Sequence, residues 1–280
     1  MKPDPARIQM RPIPTGMSQS GRLALPVKAV LFDVYGTLFI SGSGDIGHLG
    51  ATGGFSAGLE SLCRRHQIDL GAEALLKRLK ASIGREHERR KSAGTDFPEV
   101  DIEAIWREVL QWTETHRVRR FAVEFEAIVN PVSPMPGVAS VLTAIHRGGM
   151  KLGLISNAQF YTPMLFEAFL GNTVEKLGFD RRLTVFSYEE KEAKPSTRLF
   201  QRCVDALETM GIEPLESVYV GNDMLNDIAP ASRLGFQTVL FAGDRRSLRL
   251  RENHPLCRGL NPDAVVTELR GLVSLLDLTA

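Results

Sequence analysis

The sequence predicts an α/β protein: an open, parallel β-sheet with helices on both faces, interrupted by an all-helical insertion. Three observations carry this expectation. Short apolar runs rich in β-branched residues recur along the chain and alternate with stretches of helical periodicity, as in successive β-α-β units. Gly, Pro and small polar clusters close each run. Residues 41–134 break the alternation, offering helical patterns and no good strand.

Residues 1–26 are rich in Pro and polar side chains and lack the apolar stretch of a secretory signal; they are expected to form a flexible or loosely packed tail, with Met17 as a candidate natural start. The run VKAVLFDV at 27–34, flanked by Pro26 and Gly36, suits a buried parallel strand. The insertion opens with the Gly/Ser-rich SGSGDIGHLGATGG, read as a hinge. It continues with helical patterns at 55–66, 72–91 and 102–116 and leaves through the Pro-rich NPVSPMPG. A helix at 138–147 precedes the second strand, KLGLIS at 151–156. Third, fourth and fifth strands fall at 183–187, 217–221 and 237–242, with helices at 197–210 and 225–234 between them. A short sixth strand at 264–266 leads into a last helix ending near residue 278.

At 280 residues, 43% hydrophobic and 24% charged, the chain has material for a sizeable core. A formal charge of +1 gives no global field toward nucleic acid or an anionic membrane. The apolar runs are strand-sized, too short to span a bilayer. Cys63, Cys203 and Cys257 have no metal-ligand spacing and read as reduced thiols of a cytoplasmic protein. Monomer and homodimer are both open.

In an open parallel sheet, ligands bind beyond the carboxyl ends of the strands. Four such places carry polar groups: Asp33 to Thr37 after the first strand, Ser156 and Asn157 after the second, Lys194 after the third, and Asn222, Asp223 and Asp227 after the fourth. Asp33, with an apolar strand behind it, is placed as a nucleophile or metal ligand. Carboxylates gathered at one sheet edge repel unless a cation lies between them, and Asp33 with Asp223 would offer the hard oxygens that Mg²⁺ prefers. Ser156 and Lys194 would hold an anionic group such as a phosphoryl and offset charge developing on it. Thr37 is a further candidate for that group.

DVYGTL, LISN, AKPSTRLF and VGNDMLNDI, in this order, resemble the four signature motifs of the haloacid dehalogenase-like superfamily. The resemblance covers about residues 28–40 and 135–245. It implies a Rossmann-like core of strand order 5-4-1-2-3, formed by 27–40 and 135–280, with 41–134 as a helical cap. It implies that Asp33 attacks the substrate to give an aspartyl intermediate. Ser156, with Asn157 beside it, would bind the transferred group, and Lys194 would bind both that group and Asp33. Mg²⁺ would be held by Asp33, the backbone carbonyl of Tyr35 and the fourth motif. There Asp223 is the metal carboxylate, Asn222 an amide-oxygen ligand or a neighbour of one, and Asp227 a supporting group that anchors the loop or orients Lys194.

Two departures matter. Phosphatases of the superfamily carry a second aspartate two residues after the nucleophile; here that residue is Tyr35, as in the dehalogenases, which need no metal. A tyrosine hydroxyl titrates near pH 10, so it can donate a proton but is a poor base. The fourth motif, by contrast, keeps Asp223, unlike the Ser/Asn-rich dehalogenase form. The expected activity is hydrolysis of a small phosphomonoester with Mg²⁺. The alternatives are metal-independent 2-haloacid dehalogenation and a non-catalytic member that binds phospholigands. Within the insertion, Arg85, His87, Arg89, Arg90 and Lys91 form a basic run, read as a solvated face or a grip on the substrate's remainder. Trp106 and Trp112 read as packing residues, and Glu86 or His87 as a replacement acid.

Overall fold

The computed structural model describes residues 10–24, 26–43 and 55–278. The chain runs β1 (Ser20–Gly21), β2 (Ala29–Phe32), β3 (Phe39–Ser41), then the helices α1 (Ser56–Arg65), α2 (Ala72–Ser92), α3 (Ile102–Leu110) and α4 (Thr115–Val129). It returns through β4 (Val132–Pro134), α5 (Val138–Arg147), β5 (Lys151–Ser156), α6 (Thr162–Leu170), β6 (Phe179–Phe186), α7 (Ser187–Glu190) and α8 (Arg198–Thr209). It closes with β7 (Ser217–Gly221), α9 (Ala229–Arg233), β8 (Gln237–Phe241), β9 (Ala264–Val266) and α10 (Gly271–Leu275).

The main sheet has the order β1-β9-β8-β7-β2-β5-β6, parallel except for β1 at its edge. Leaving aside β1 and β9, this is the expected 5-4-1-2-3 arrangement with β2 central. Alternation of side chains across the strands builds two cores. Val30 and Phe32 of β2 join Leu152, Leu154, Val218 and Val220 against α5, α6 and α10. Ala29 and Leu31 point the other way, with Ile155 and Tyr219, toward α8 and α9. Both faces are thus covered, which is why β2 is buried along its whole length.

Helices α1–α4 have a core of their own, centred on Leu59, Leu75, Leu79, Trp106, Phe121 and Phe125. Trp106 is fully buried there, edge-on to Phe121 and Phe125 at 4.9 and 4.7 Å between ring centroids, as a packing residue. Among the described residues no helix is long and apolar enough to cross a membrane.

Several local expectations are corrected. The helix expected over 102–116 is two helices, because Gln111 takes a left-handed conformation (φ 55°) and ends α3. The segment leaving the insertion is not strand-free: β4 pairs antiparallel with β3, so the insertion leaves and re-enters the core through a two-stranded ribbon. Part of the expected tail packs on the core, with Met10 and Ile13 amides bonded to Ser133 Oγ and Asp244 Oδ1 and β1 added to the sheet beside β9. Residues 1–9 and most of the expected hinge, 44–54, lie outside the described residues.

Candidate active site

β2 delivers Asp33 to the carboxyl edge of the sheet. Its amide donates to Val220 O at 2.9 Å, so β7 fixes the backbone on which the carboxylate stands. The side chain is buried. Ser156 Oγ, at the end of β5, donates to Asp33 Oδ1 at 2.9 Å, and Lys194 Nζ donates to the same oxygen at 2.7 Å. Both bonds fall on Oδ1, which leaves Oδ2 for chemistry.

Lys194 is the hub. Its buried ammonium also lies 2.5 Å from Asp227 Oδ1, 3.2 Å from Tyr219 Oη and 3.3 Å from Ile155 O. Burial works against its charge, but Asp227 and Asp33 outweigh that and raise its pKa above the ordinary lysine value. Burial raises Asp227, and the Asp33 and Asp223 carboxylates add to this against the opposing pull of Lys194. The other oxygen of Asp227 accepts the amides of Asn222 and Asp223, each at 2.9 Å. Asp227 therefore anchors the loop after β7 and orients Lys194. Gly221 makes this possible, since a Cβ there would collide with the Asp227 side chain.

The remaining predicted residues divide. Asn157 holds the Lys194 backbone from both sides: its Oδ1 accepts from Lys194 N at 2.8 Å and its Nδ2 donates to Lys194 O at 3.4 Å. Thr37 Oγ1 donates to Asn222 Oδ1 at 3.0 Å, and Asn222 Nδ2 donates to Ser247 O at 2.7 Å. The amide oxygen expected to reach a metal is thus engaged within the protein. Gly36 sits in that junction at φ 84°, where any Cβ would meet Ser247 and Asn222 Nδ2. Asp223 caps the following turn, accepting from the amides of Leu225 and Asn226 at 2.8 and 3.3 Å. Its carboxylate is also gripped by Arg251, at 2.7 Å through Nη2 and 3.2 Å through Nε.

Tyr35 Oη is hydrogen-bonded to Thr162 Oγ1 at 3.0 Å. Burial, with Glu126 and Asp33 nearby, lifts its pKa far above 10, so the hydroxyl stays protonated and cannot serve as a base. Glu126, from the last turn of α4, accepts from Tyr161 Oη and Asn130 Nδ2, each at 3.0 Å. Burial raises its pKa. The acids proposed from the basic run fare differently. Arg89 and Arg90 hold Glu86 ionised, at a pKa of about 2, and burial lowers that of His87. Arg85 pairs with Glu108, and Arg89 and Arg90 with Glu86.

Four groups escaped the sequence reading. Tyr219 lies within a buried strand, yet its hydroxyl donates to Ile155 O at 2.7 Å and touches Lys194 and Asp227. A tyrosine in an otherwise aliphatic buried strand signals a hydroxyl needing partners. Arg251 follows the carboxyl end of β8, the place where the strand-end rule directs attention. Thr162 and Glu126 carried no such signal, since only folding brings them to Tyr35.

An aspartate just past the central parallel strand is locked by a lysine and a serine from neighbouring strand ends, at the carboxyl edge of a Rossmann-like sheet. A profile of haloacid dehalogenase-like hydrolases matches residues 27–235, and the chain belongs to that family. It is 27% identical over 216 residues to a glyceraldehyde 3-phosphate phosphatase of Methanopyrus kandleri, spanning 76% of this chain and 83% of that one. It is equally 27% identical, over 215 residues, to an (S)-2-haloacid dehalogenase of Pseudomonas sp., spanning 76% and 84%. A phosphatase of the same superfamily from Thermococcus onnurineus shares the fold, with a TM-score of 0.55 at 21% identity over 89% of this chain and 98% of that one. The chain is therefore a hydrolase of this family, with a phosphatase and a dehalogenase each 27% identical to it.

Proposed function

We propose that the protein is a Mg²⁺-dependent phosphatase of a small phosphomonoester, acting through an aspartyl-phosphate on Asp33. One observation carries the reading. β2 and β7 run parallel in register, Phe32 beside Val220, so Asp33 and the fourth-motif carboxylate Asp223 leave neighbouring strand ends. Two carboxylates and a main-chain carbonyl form the small, all-oxygen donor set that suits magnesium, which keeps several waters and binds substrate phosphate. The Asp33 carboxylate, Asp223 and the Tyr35 carbonyl would hold the ion; when bound, it neutralises charge on the transferring phosphoryl group.

The chain's own residues supply the rest. Ser156 and Lys194 fix Oδ1, aiming Oδ2 as nucleophile. Attack by Oδ2 on phosphorus breaks the ester P–O bond, and a water then cleaves the acyl phosphate to give phosphate and free Asp33. Lys194 stays protonated and offsets charge on the phosphoryl oxygens. Burial holds the Tyr35 hydroxyl protonated well above the ordinary tyrosine range and so makes it a weak acid, and the leaving alkoxide takes its proton from another group. Glu126, a buried carboxyl whose charge raises the pKa of Tyr35, is our candidate. Residues 41–134 act as a cap over a core of 27–40 and 135–280, and the cap selects the substrate. Tyr35 motivates a second reading, metal-free dehalogenation.

Hydrolysis of p-nitrophenyl phosphate that stops with EDTA and in Asp33→Asn supports the phosphatase. Halide release from 2-chloropropionate, indifferent to EDTA and without any phosphomonoester turnover, overturns it in favour of the second reading.

A further inference from the structure

The loop after β8 is stitched to the fourth motif at Arg249. Arg249 N donates to Asn222 O and Met224 N donates to Arg249 O, each at 2.9 Å. Asp223 and Arg249 form a parallel bridge. This attachment delivers Arg251, held in the left-handed conformation (φ 52°), to the carboxylate of Asp223. Its guanidinium meets that carboxylate side-on, Nε at 3.2 Å from both oxygens and Nη2 at 2.7 Å from Oδ2. With the Leu225 and Asn226 amides and Asn226 Nδ2 (3.2 Å to Oδ2), both oxygens of Asp223 are engaged by donors.

We infer that Arg251 is the built-in countercation of Asp223 and sets the magnesium affinity of the site by competing with the ion for the same carboxylate. The inference rests on the proposed magnesium site. Its physics is electrostatic. Asp33, Asp223 and Asp227 are three carboxylates, and Lys194 already serves Asp33 and Asp227. Arg251 answers the third. A divalent ion bonded to Asp223 must displace at least one charge-assisted bond of the guanidinium and then sit beside a fixed positive charge. Both effects weaken binding. The guanidinium is partly exposed, with a third of its side-chain surface open, so it can withdraw toward solvent when the ion enters. Arg251 is thus a positioning residue for Asp223.

Isothermal titration of the full chain with MgCl₂ tests this, using the original protein, Arg251→Gln, Arg251→Ala and Asp223→Asn. Relief of one charge-assisted contact predicts Mg²⁺ binding about ten-fold tighter in both Arg251 variants, and loss of binding in Asp223→Asn. Thermal unfolding separates competition from a structural role. The Arg251 variants should have a lower Tm than the original protein without Mg²⁺, and a larger Mg²⁺-induced rise in Tm. Binding abolished by Asp223→Asn but unchanged or weakened in both Arg251 variants overturns the inference and leaves the magnesium site standing. Absence of Mg²⁺ binding in every variant overturns both.

Discussion

Replacing Lys194 with methionine tests the hub of the site. The substitution keeps the volume but removes an ammonium held by Asp33 and Asp227 in the interior. Breaking a buried ion pair from one side costs about 3–5 kcal/mol, because the surviving charge stays buried. Here the carboxylates keep partial compensation. Asp33 retains Ser156, and Asp227 retains the amides of Asn222 and Asp223 and the Tyr219 hydroxyl. The lower part of that range, about 3 kcal/mol, is therefore expected from urea unfolding at neutral pH. The penalty must also depend on pH. The Asp227 carboxyl, pushed up to about 6 in the intact site, rises further without Lys194. An acid whose folded pKa exceeds its unfolded value of about 4 costs no stability below the unfolded value and loses stability as pH rises through the folded one. The gap between Lys194→Met and the original protein should therefore be smallest near pH 4 and widen toward neutrality. Turnover should fall by about 10²–10³-fold through loss of a positioned positive charge. A variant within 1 kcal/mol of the original, flat with pH and retaining activity, would refute the hub.

Three further outcomes follow from the same geometry. Tyr35→Phe removes only the bond to Thr162 and should change kcat less than about five-fold, since one neutral hydrogen bond contributes about 1 kcal/mol. Tyr35→Asp should speed unactivated phosphate esters by restoring a carboxyl beside the leaving group; an equal effect on p-nitrophenyl phosphate would contradict that role. Glu126→Gln should slow alkyl phosphates by about 10²-fold, the lower part of what a general acid contributes, and leave p-nitrophenyl phosphate little affected, because its phenol leaves without a proton.

The core of the fold was legible because parallel strands buried on both faces must be continuous apolar runs, and Gly or Pro ends them visibly. The convergence of Asp33, Ser156, Lys194 and Asp227 was legible for the same reason: strand ends of one parallel sheet meet at one edge. What the side chains do there was less legible. Position placed Asn157, Thr37 and Asn222 at the strand ends; that each also braces a loop is carried by hydrogen-bond partners that sequence spacing does not record. β3 and β4 were missed because the Pro-rich NPVSPMPG reads as coil, although Pro134 stands at the end of a short two-stranded ribbon, where proline is tolerated. The break at Gln111 was missed because no Gly or Pro marks it. Arg251 and Glu126 reach the site from elements distant in sequence, and nothing local announces them.

In the proposed reaction Asp33 carries the transferred phosphoryl group. Acid quenching during turnover of p-nitrophenyl phosphate, followed by mass spectrometry of the peptide containing Asp33, tests it most directly. A phosphoryl adduct on Asp33 is expected in the original protein, and neither adduct nor turnover in Asp33→Asn. Sustained turnover by Asp33→Asn, or a phosphoryl group trapped on another residue, would contradict it.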